Sequence, residues 1–262
     1  GDISDVEHFV CIGRTPQGMT DYEELISRFS SQKPDLIPDE NDVAWFIYTS
    51  GTTGFPKGAM ITHKNVVSKF QNLMLSENTS PDEISLFNFP LFHIAGSVAL
   101  AQLYAGSTVH LIKKFDPEHA LSLIEKEKIN STAFAPTMFN FMMLHPALDK
   151  YYTGSLKRIG YGASPMPVEL LREGMERFGR VFNQLYGLTE STGTITSLKA
   201  EEHVVEGTER EVRRLASCGK ELMNVWVKVV DGDGNDVEPG GQMGEIVVRS
   251  DTVMKGYWNK PE

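Results

Sequence analysis

The chain has 262 residues, 40% hydrophobic and 23% charged, with a formal net charge of −10. That length and apolar share suit one large globular domain or two small ones with a sizeable core. The acidic balance argues against a nucleic-acid-binding surface, and no apolar run approaches the roughly 20 residues that cross a bilayer.

Residues 1–40 carry no readable motif, and their opening, GDISDVE, has no initiating methionine; they are expected to form a leader of uncertain structure. No charged-then-apolar signal is present. Cys11 and Cys218 lie far apart without metal-ligand spacing, so free thiols in a reducing cytoplasm are expected. The apolar run Val43–Ile47 reads as a buried strand. It leads into YTSGTTGFPKG, Tyr48 to Gly58. Glycines there let backbone N–H groups approach a ligand, while hydroxyls and an ammonium add donors and charge, which points to phosphate. The common phosphate loop, G-x-x-x-x-G-K-[ST], is not matched: Pro56 precedes Lys57 and Gly58 follows it. A plain turn between a strand and a helix is the alternative.

THKNVVSKFQNLM follows, a helix with Thr62 as N-cap and Val66, Val67, Phe70, Leu73 and Met74 on one face. ISLFNFPL, STVHLI, STAFAP, LKRIGYG and VFNQLYG read as short strands separated by helices. One of these helices, DPEHALSLIEKEK, opens with Asp116 as cap and Pro117 at its first position. This alternation predicts an α/β fold: a largely parallel sheet with flanking helices over residues 41–214. Ligands of such sheets bind beyond the carboxyl ends of the strands, so the glycine-rich loop and the turn after VFNQLYG are expected to meet at one edge. The charge run Lys199–Arg214 reads as solvated surface. From about residue 215 the character changes. VWVKVV, the turns DGDGN and EPGGQ, and GEIVVRS predict a smaller antiparallel β-rich segment over 215–262. DGDGN does not meet the EF-hand spacing and reads as a turn.

Four stretches, in order, resemble the adenylate-forming enzymes, the family of acyl-CoA synthetases, luciferases and peptide-synthetase adenylation domains. YTSGTTGFPKGAMITH is similar to that family's phosphate-loop signature. FPLFHIAG resembles its acyl-pocket motif, and NQLYGLTE its adenine-and-magnesium motif. GEIVVRSDTVMKGYWNKPE resembles the segment before its ribose-binding aspartate. Acyl-CoA synthetases are the most similar branch.

The resemblance implies that a carboxylate attacks the α-phosphate of ATP, pyrophosphate leaves, and CoA takes the acyl group. Both reacting groups are anionic, so the site must neutralise charge and hold them in line. By this reading Thr49, Ser50, Gly51, Thr52, Thr53 and Gly54 supply donors to the β- and γ-phosphates, and Lys57 a point charge. Glu190 is the Mg²⁺ ligand, and Thr189 donates to the α-phosphate. Adenine is expected to stack on Tyr186 with Gly187 beneath it, edged by Gln184 and the turn Gly162, Ala163, Ser164. His93 is expected at the substrate carboxylate, although a lone histidine among apolar residues is also an ordinary core residue. Lys114 resembles a position that meets the phosphate end of CoA, and reads equally as an exposed lysine. Glu190 and Tyr186 have bland alternatives too, a surface acid and a core aromatic at a strand end.

The family's ribose aspartate, hinge and lid lysine have no counterpart here, and its segment before the phosphate loop is usually longer. The chain is therefore expected to be a central piece of a large domain, inactive alone, whose parent is the enzyme. A partner layer absent from the sheet would leave apolar surface uncovered, so self-association is expected. The favoured substrate is a fatty or other apolar acid, since no acid stands beside these motifs to pair with an amino group. An aryl-acid ligase, a fatty-acyl-AMP ligase serving a carrier-protein thiol, and a non-catalytic nucleotide-binding module remain as alternatives.

Overall fold

The structure is a computed structural model that describes residues 6–50, 55–238, 240 and 243–260. It divides into two compact units, Gly1–Pro38 and Asp39–Glu262. In the first, β1 (Val10–Cys11) pairs in parallel with β2 (Thr20–Asp21). A single short helix follows, α1 (Tyr22–Ser27), whose first turn is capped by Asp21 accepting from the Glu24 N–H at 3.0 Å. No residue of α1 is buried.

The second unit opens with β3 (Val43–Thr49), β4 (Lys57–Thr62) and α2 (His63–Glu77). Alternation follows: β5 (Ile84–Phe87), α3 (Gly96–Tyr104), β6 (Thr108–Leu111), α4 (Pro117–Lys126), β7 (Ser131–Phe134), α5 (Pro136–Met143), β8 (Arg158–Gly162), α6 (Val168–Phe178) and β9 (Phe182–Leu188). It closes with β10 (Gly193–Leu198), α7 (Glu209–Arg213), β11 (Lys220–Glu221), β12 (Val225–Val230), β13 (Glu245–Ser250) and β14 (Gly256–Tyr257). Seven strands form the main sheet in the order β11-β10-β9-β8-β7-β5-β6. The pairings β6/β5, β5/β7, β7/β8 and β8/β9 are parallel, and β9/β10 and β10/β11 are antiparallel. The mixed α/β architecture expected from the alternation is therefore present, and β12 and β13 form the expected antiparallel pair.

Side-chain alternation assigns the two faces of the main sheet. Leu86, Phe134, Ile159 and Phe182 point into a core closed by α4, α5 and α6 through Leu121, Ile124, Phe139, Met142 and Leu171. The opposite face, carrying Phe87, Ala133, Gly160 and Leu185, lies under α2 and α3. Those two helices pack on each other through Phe70, Leu73 and Ala101. Both faces thus carry helices, so the bare face expected to drive self-association is not found among the described residues. The caps follow the sequence: Thr62 and Asn65 form a reciprocal capping box at α2, and Asp116 caps α4 ahead of Pro117.

Val43–Ile47 departs from expectation. Its strand is neither in the main sheet nor buried. β3 pairs antiparallel with β4, and β14 adds to the far side of β4, giving a separate three-stranded sheet. Ile47 is 2% exposed but its neighbours Phe46 and Tyr48 are 45% and 64% exposed. An edge strand with one covered face buries alternate residues only, however apolar its sequence. The glycine-rich loop accordingly joins two strands, with β4 between it and α2. Inside the charge run, His203 is buried: its Nδ1–H donates to the Lys199 carbonyl at 2.8 Å, and its Nε2 accepts from the Tyr161 hydroxyl at 2.9 Å. Cys11 and Cys218 are free thiols. No described helix is long and apolar enough to cross a membrane.

Candidate active site

Segments distant in sequence converge on one cleft of about 640 Å³ that carries several polar side chains. β3 brings Thr49, with Ser50 directly after it, β4 brings Lys57, the turn after β9 brings Thr189 and Glu190, and β14 brings Tyr257. The Tyr257 hydroxyl donates to Glu190 Oε1 at 2.5 Å. This bond to a carboxylate, with some loss of water, pushes the phenol's pKa up to about 12. Lys57 Nζ lies 5.3 Å from the centre of the Tyr257 ring, over its face. The backbone fixes the arrangement. Met254 N–H donates to the Glu190 carbonyl at 2.9 Å, and the buried Thr192 hydroxyl to the Thr252 carbonyl at 2.6 Å. The segment leading to β14 is thereby fastened to the Glu190 turn.

The cleft adjoins a second, apolar cavity of about 110 Å³ walled by Phe87, Phe89, Val98, Ala133 and Leu185. His93, Ile94, Ala163 and Gly187 line both spaces. His93 stands at their junction, its ring stacked on Phe89 at 6.5 Å and its Nδ1 accepting from the Ala95 N–H at 3.1 Å. Burial lowers its pKa, which favours the neutral ring, and the Ala95 bond places the ring proton on Nε2.

The floor is backbone. Gly162 ends β8 so close to β9 that an added Cβ would lie 2.2 Å from the Leu185 carbonyl oxygen. At Gly187 it would lie 1.9 Å from the Gly193 oxygen. Ala163, at φ +68°, turns the chain across the mouth of the apolar cavity in a conformation that side-chain-bearing residues seldom adopt.

Of the residues singled out from the sequence, the structure brings together Thr49, Ser50, Lys57, His93, Ala163, Gly187, Thr189 and Glu190, with Gly162 in the adjoining wall. Gly51, Thr52, Thr53 and Gly54 lie outside the described residues. Ser164 is exposed next to Ala163. Tyr186 lies on the face of β9 opposite Gly187 and packs against Ile195, Leu222 and Val225. Gln184 is on that same face of β9 with its Oε1 buried and unpartnered. Lys114 is exposed in the segment between β6 and α4 and lines neither space. Tyr257 was not singled out by sequence; its partner is 67 residues away, and only the run GYWNKPE hinted at it.

The AMP-binding enzyme family matches residues 4–258. The chain is 36% identical over 251 residues to feruloyl-CoA synthase of Amycolatopsis sp, covering 95% of this chain and 48% of that protein. It is 32% identical over 260 residues to 4-coumarate–CoA ligase 2 of Petroselinum crispum, covering 97% and 47%. The fold superposes on amide bond synthetase McbA from Marinactinospora thermotolerans with a TM-score of 0.85, 28% identity, and coverage of 98% and 49%. The chain spans about half the length of the curated relatives it matches. With the motif order, the sheet and the family match in agreement, the chain belongs to the AMP-binding enzyme family.

Proposed function

We propose that this chain carries the nucleotide- and acid-binding half of an AMP-forming acid–thiol ligase. The observation that carries the reading is the junction at His93: an apolar cavity for an acid's body meets a polar cleft lined by Lys57, Thr189 and Glu190. An acid seated with its tail among Phe87, Val98 and Ala133 places its carboxylate beside the Nε2–H of His93. The carboxylate oxygen then attacks the α-phosphorus of ATP, the bond to the bridging oxygen breaks, and pyrophosphate leaves with that electron pair. The neutral imidazole orients the nucleophile without taking its charge, while Lys57 offsets the negative charge around the phosphates. In the second half-reaction the thiol sulfur of CoA attacks the acyl carbon and gives up its proton to solvent, and the bond from that carbon to the phosphate oxygen breaks, so that AMP leaves with the electron pair.

The residues fit magnesium held mostly by its substrate. No cluster of three His, Cys, Asp or Glu suited to a metal occurs among the described residues, and Glu190 offers one hard carboxylate facing the cleft. Mg²⁺ typically takes one or two carboxylates, with phosphate oxygens and water filling the rest of its shell. When bound it would neutralise phosphate charge. Tyr257, bonded to Glu190 Oε1, would help hold that carboxylate in place for the ion.

Feruloyl-CoA synthase and 4-coumarate–CoA ligase among the relatives favour an aryl-bearing acid over the fatty acid expected from the sequence. The apolar walls suit either. CoA is the preferred acceptor over a carrier-protein thiol for the same reason. Acid-dependent pyrophosphate release, measured over aryl and straight-chain acids, tests the reading. Release that requires both ATP and one acid class supports it, and ATP turnover indifferent to every acid refutes it.

A further inference from the structure

Residues 251–255, between β13 and β14, line neither the apolar cavity nor the nucleotide cleft. Their backbone is nevertheless bonded at every position. The carbonyls of Asp251 and Val253 accept from Asn65 Nδ2 at 2.8 and 2.9 Å, and the carbonyl of Thr252 accepts from the Thr192 hydroxyl at 2.6 Å. The amides of Met254 and Lys255 donate to the carbonyls of Glu190 and Met60, at 2.9 Å each. Five successive residues are thereby tied to the capping box of α2, to the Glu190 turn and to β4. Two residues later the chain sets Tyr257 against Glu190.

Thr192 is the member of this network that local structure does not explain. It ends the short helical turn Thr189–Ser191, its N–H donating to the Thr189 carbonyl at 3.0 Å. Its backbone is left-handed, at φ +53° and ψ +35°. The other described non-glycine residues at positive φ are three asparagines, a lysine and an alanine, and a β-branched side chain suits that region least. Glycine would enter it without strain. Thr192 is also 0% exposed, so its hydroxyl is not there for solvent. What threonine adds at this position is the bond to the Thr252 carbonyl. Strained backbone of this kind persists where the surrounding structure enforces it, and it gathers at functional sites.

Resting on the reading of Glu190 as the magnesium carboxylate, we propose that Thr192 is a positioning residue for magnesium-dependent nucleotide binding: its hydroxyl ties the Glu190 turn to the segment that carries Tyr257. Thr192 lies two residues after Glu190, and Thr252 five before Tyr257. The tie therefore joins the two arms on which the Tyr257–Glu190 pair is mounted. Thr192 touches neither space of the site. With the tie cut, the Glu190 carboxylate has to be ordered when the ion binds, and affinity falls by that cost.

Calorimetry on the 262-residue chain tests this with a non-hydrolysable ATP analogue, once with Mg²⁺ and once with EDTA. The unmodified chain should bind the analogue more tightly with Mg²⁺. Thr192→Val keeps the shape and loses the hydroxyl, and Thr192→Gly loses the hydroxyl while relieving the backbone. Both should lose roughly ten-fold in affinity with Mg²⁺, the size expected when a group that orients a metal ligand is removed. Binding in EDTA should stay unchanged, and Thr192→Ser should match the unmodified chain. A residue that only supports the fold would lower the melting temperature without this selective loss. Full Mg²⁺ enhancement in Thr192→Val and Thr192→Gly, or an equal loss with and without Mg²⁺, overturns the inference. The reading of Glu190 then still stands if Glu190→Gln loses the enhancement in the same assay. An unmodified chain indifferent to Mg²⁺ removes that reading and this inference together. Thr192→Gly decides the matter if Thr192→Val does not fold.

Discussion

Tyr257 donates a 2.5 Å hydrogen bond to Glu190, joining a two-residue strand at the end of the fold to the turn after β9. The bond raises the phenol's pKa to about 12. A raised pKa means that its stabilisation is complete below the ordinary tyrosine value and fades as pH climbs through the folded one. Tyr257→Phe should destabilise the chain by about 1 kcal/mol in denaturant titrations near neutrality, since the pair is partly exposed. The gap between the two proteins should close as pH rises from about 10 toward 12.

Glu190→Gln keeps the size of the side chain and removes its charge. In the ligase proposed above, adenylate formation should fall by roughly ten- to a thousand-fold, with the fold intact, as expected for a preorganised charge lost from a site. Pyrophosphate release at graded magnesium concentrations measures it. Unchanged rate and unchanged magnesium dependence would make Glu190 a surface acid.

Gly187 tolerates no side chain, because a Cβ would sit 1.9 Å from the Gly193 carbonyl oxygen across the β9–β10 pairing. Gly187→Ala must push the paired backbones of β9 and β10 away from each other at the floor of both cavities. A loss of about 3 kcal/mol is expected, at the upper end of overpacking effects. Thermal unfolding against Gly232→Ala, which meets nothing within 4 Å, provides the control.

Lys69 is wholly buried, with one hydrogen bond, to the Thr194 carbonyl at 3.1 Å. Burial depresses its pKa to about 7, partly offset by the negative charge of Glu77. Between that value and the ordinary lysine pKa of 10.5 the unfolded chain holds the proton and the folded chain does not. Stability from this residue therefore rises with pH across the window. Lys69→Met should stabilise the protein at pH 7 by a few kcal/mol. It should also flatten the pH dependence of the melting temperature between pH 7 and about 10, which differential scanning fluorimetry reads directly.

Local chemistry made much of this legible in advance. The caps at Thr62 and Asp116, the strand–helix alternation and the glycine-rich loop are all written in short-range spacing. What escaped depends on tertiary partners. β3 is apolar enough for a sheet centre, yet it forms the edge of a small antiparallel sheet because β4 returns beside it. Tyr257 and Glu190 meet only because β14 pairs with β4. Glu77 looks like an ordinary acid at a helix end; its burial appears once Asn183 and Arg158 close over it from β9 and β8. No periodicity in α2 distinguishes it from a solvated glutamate.

The central claim is that acid and nucleotide meet at His93, between an apolar cavity and the Glu190 cleft. A crystal structure of the chain with an acyl-sulfamoyl adenosine, a stable mimic of the acyl adenylate, tests it most directly. The expected result places the acyl group among Phe87, Val98 and Ala133, the sulfamoyl beside His93 and Thr189, and the adenosine along Gly162–Ala163. An acyl group bound outside that cavity, or a mimic that leaves His93 and Glu190 untouched, would contradict it.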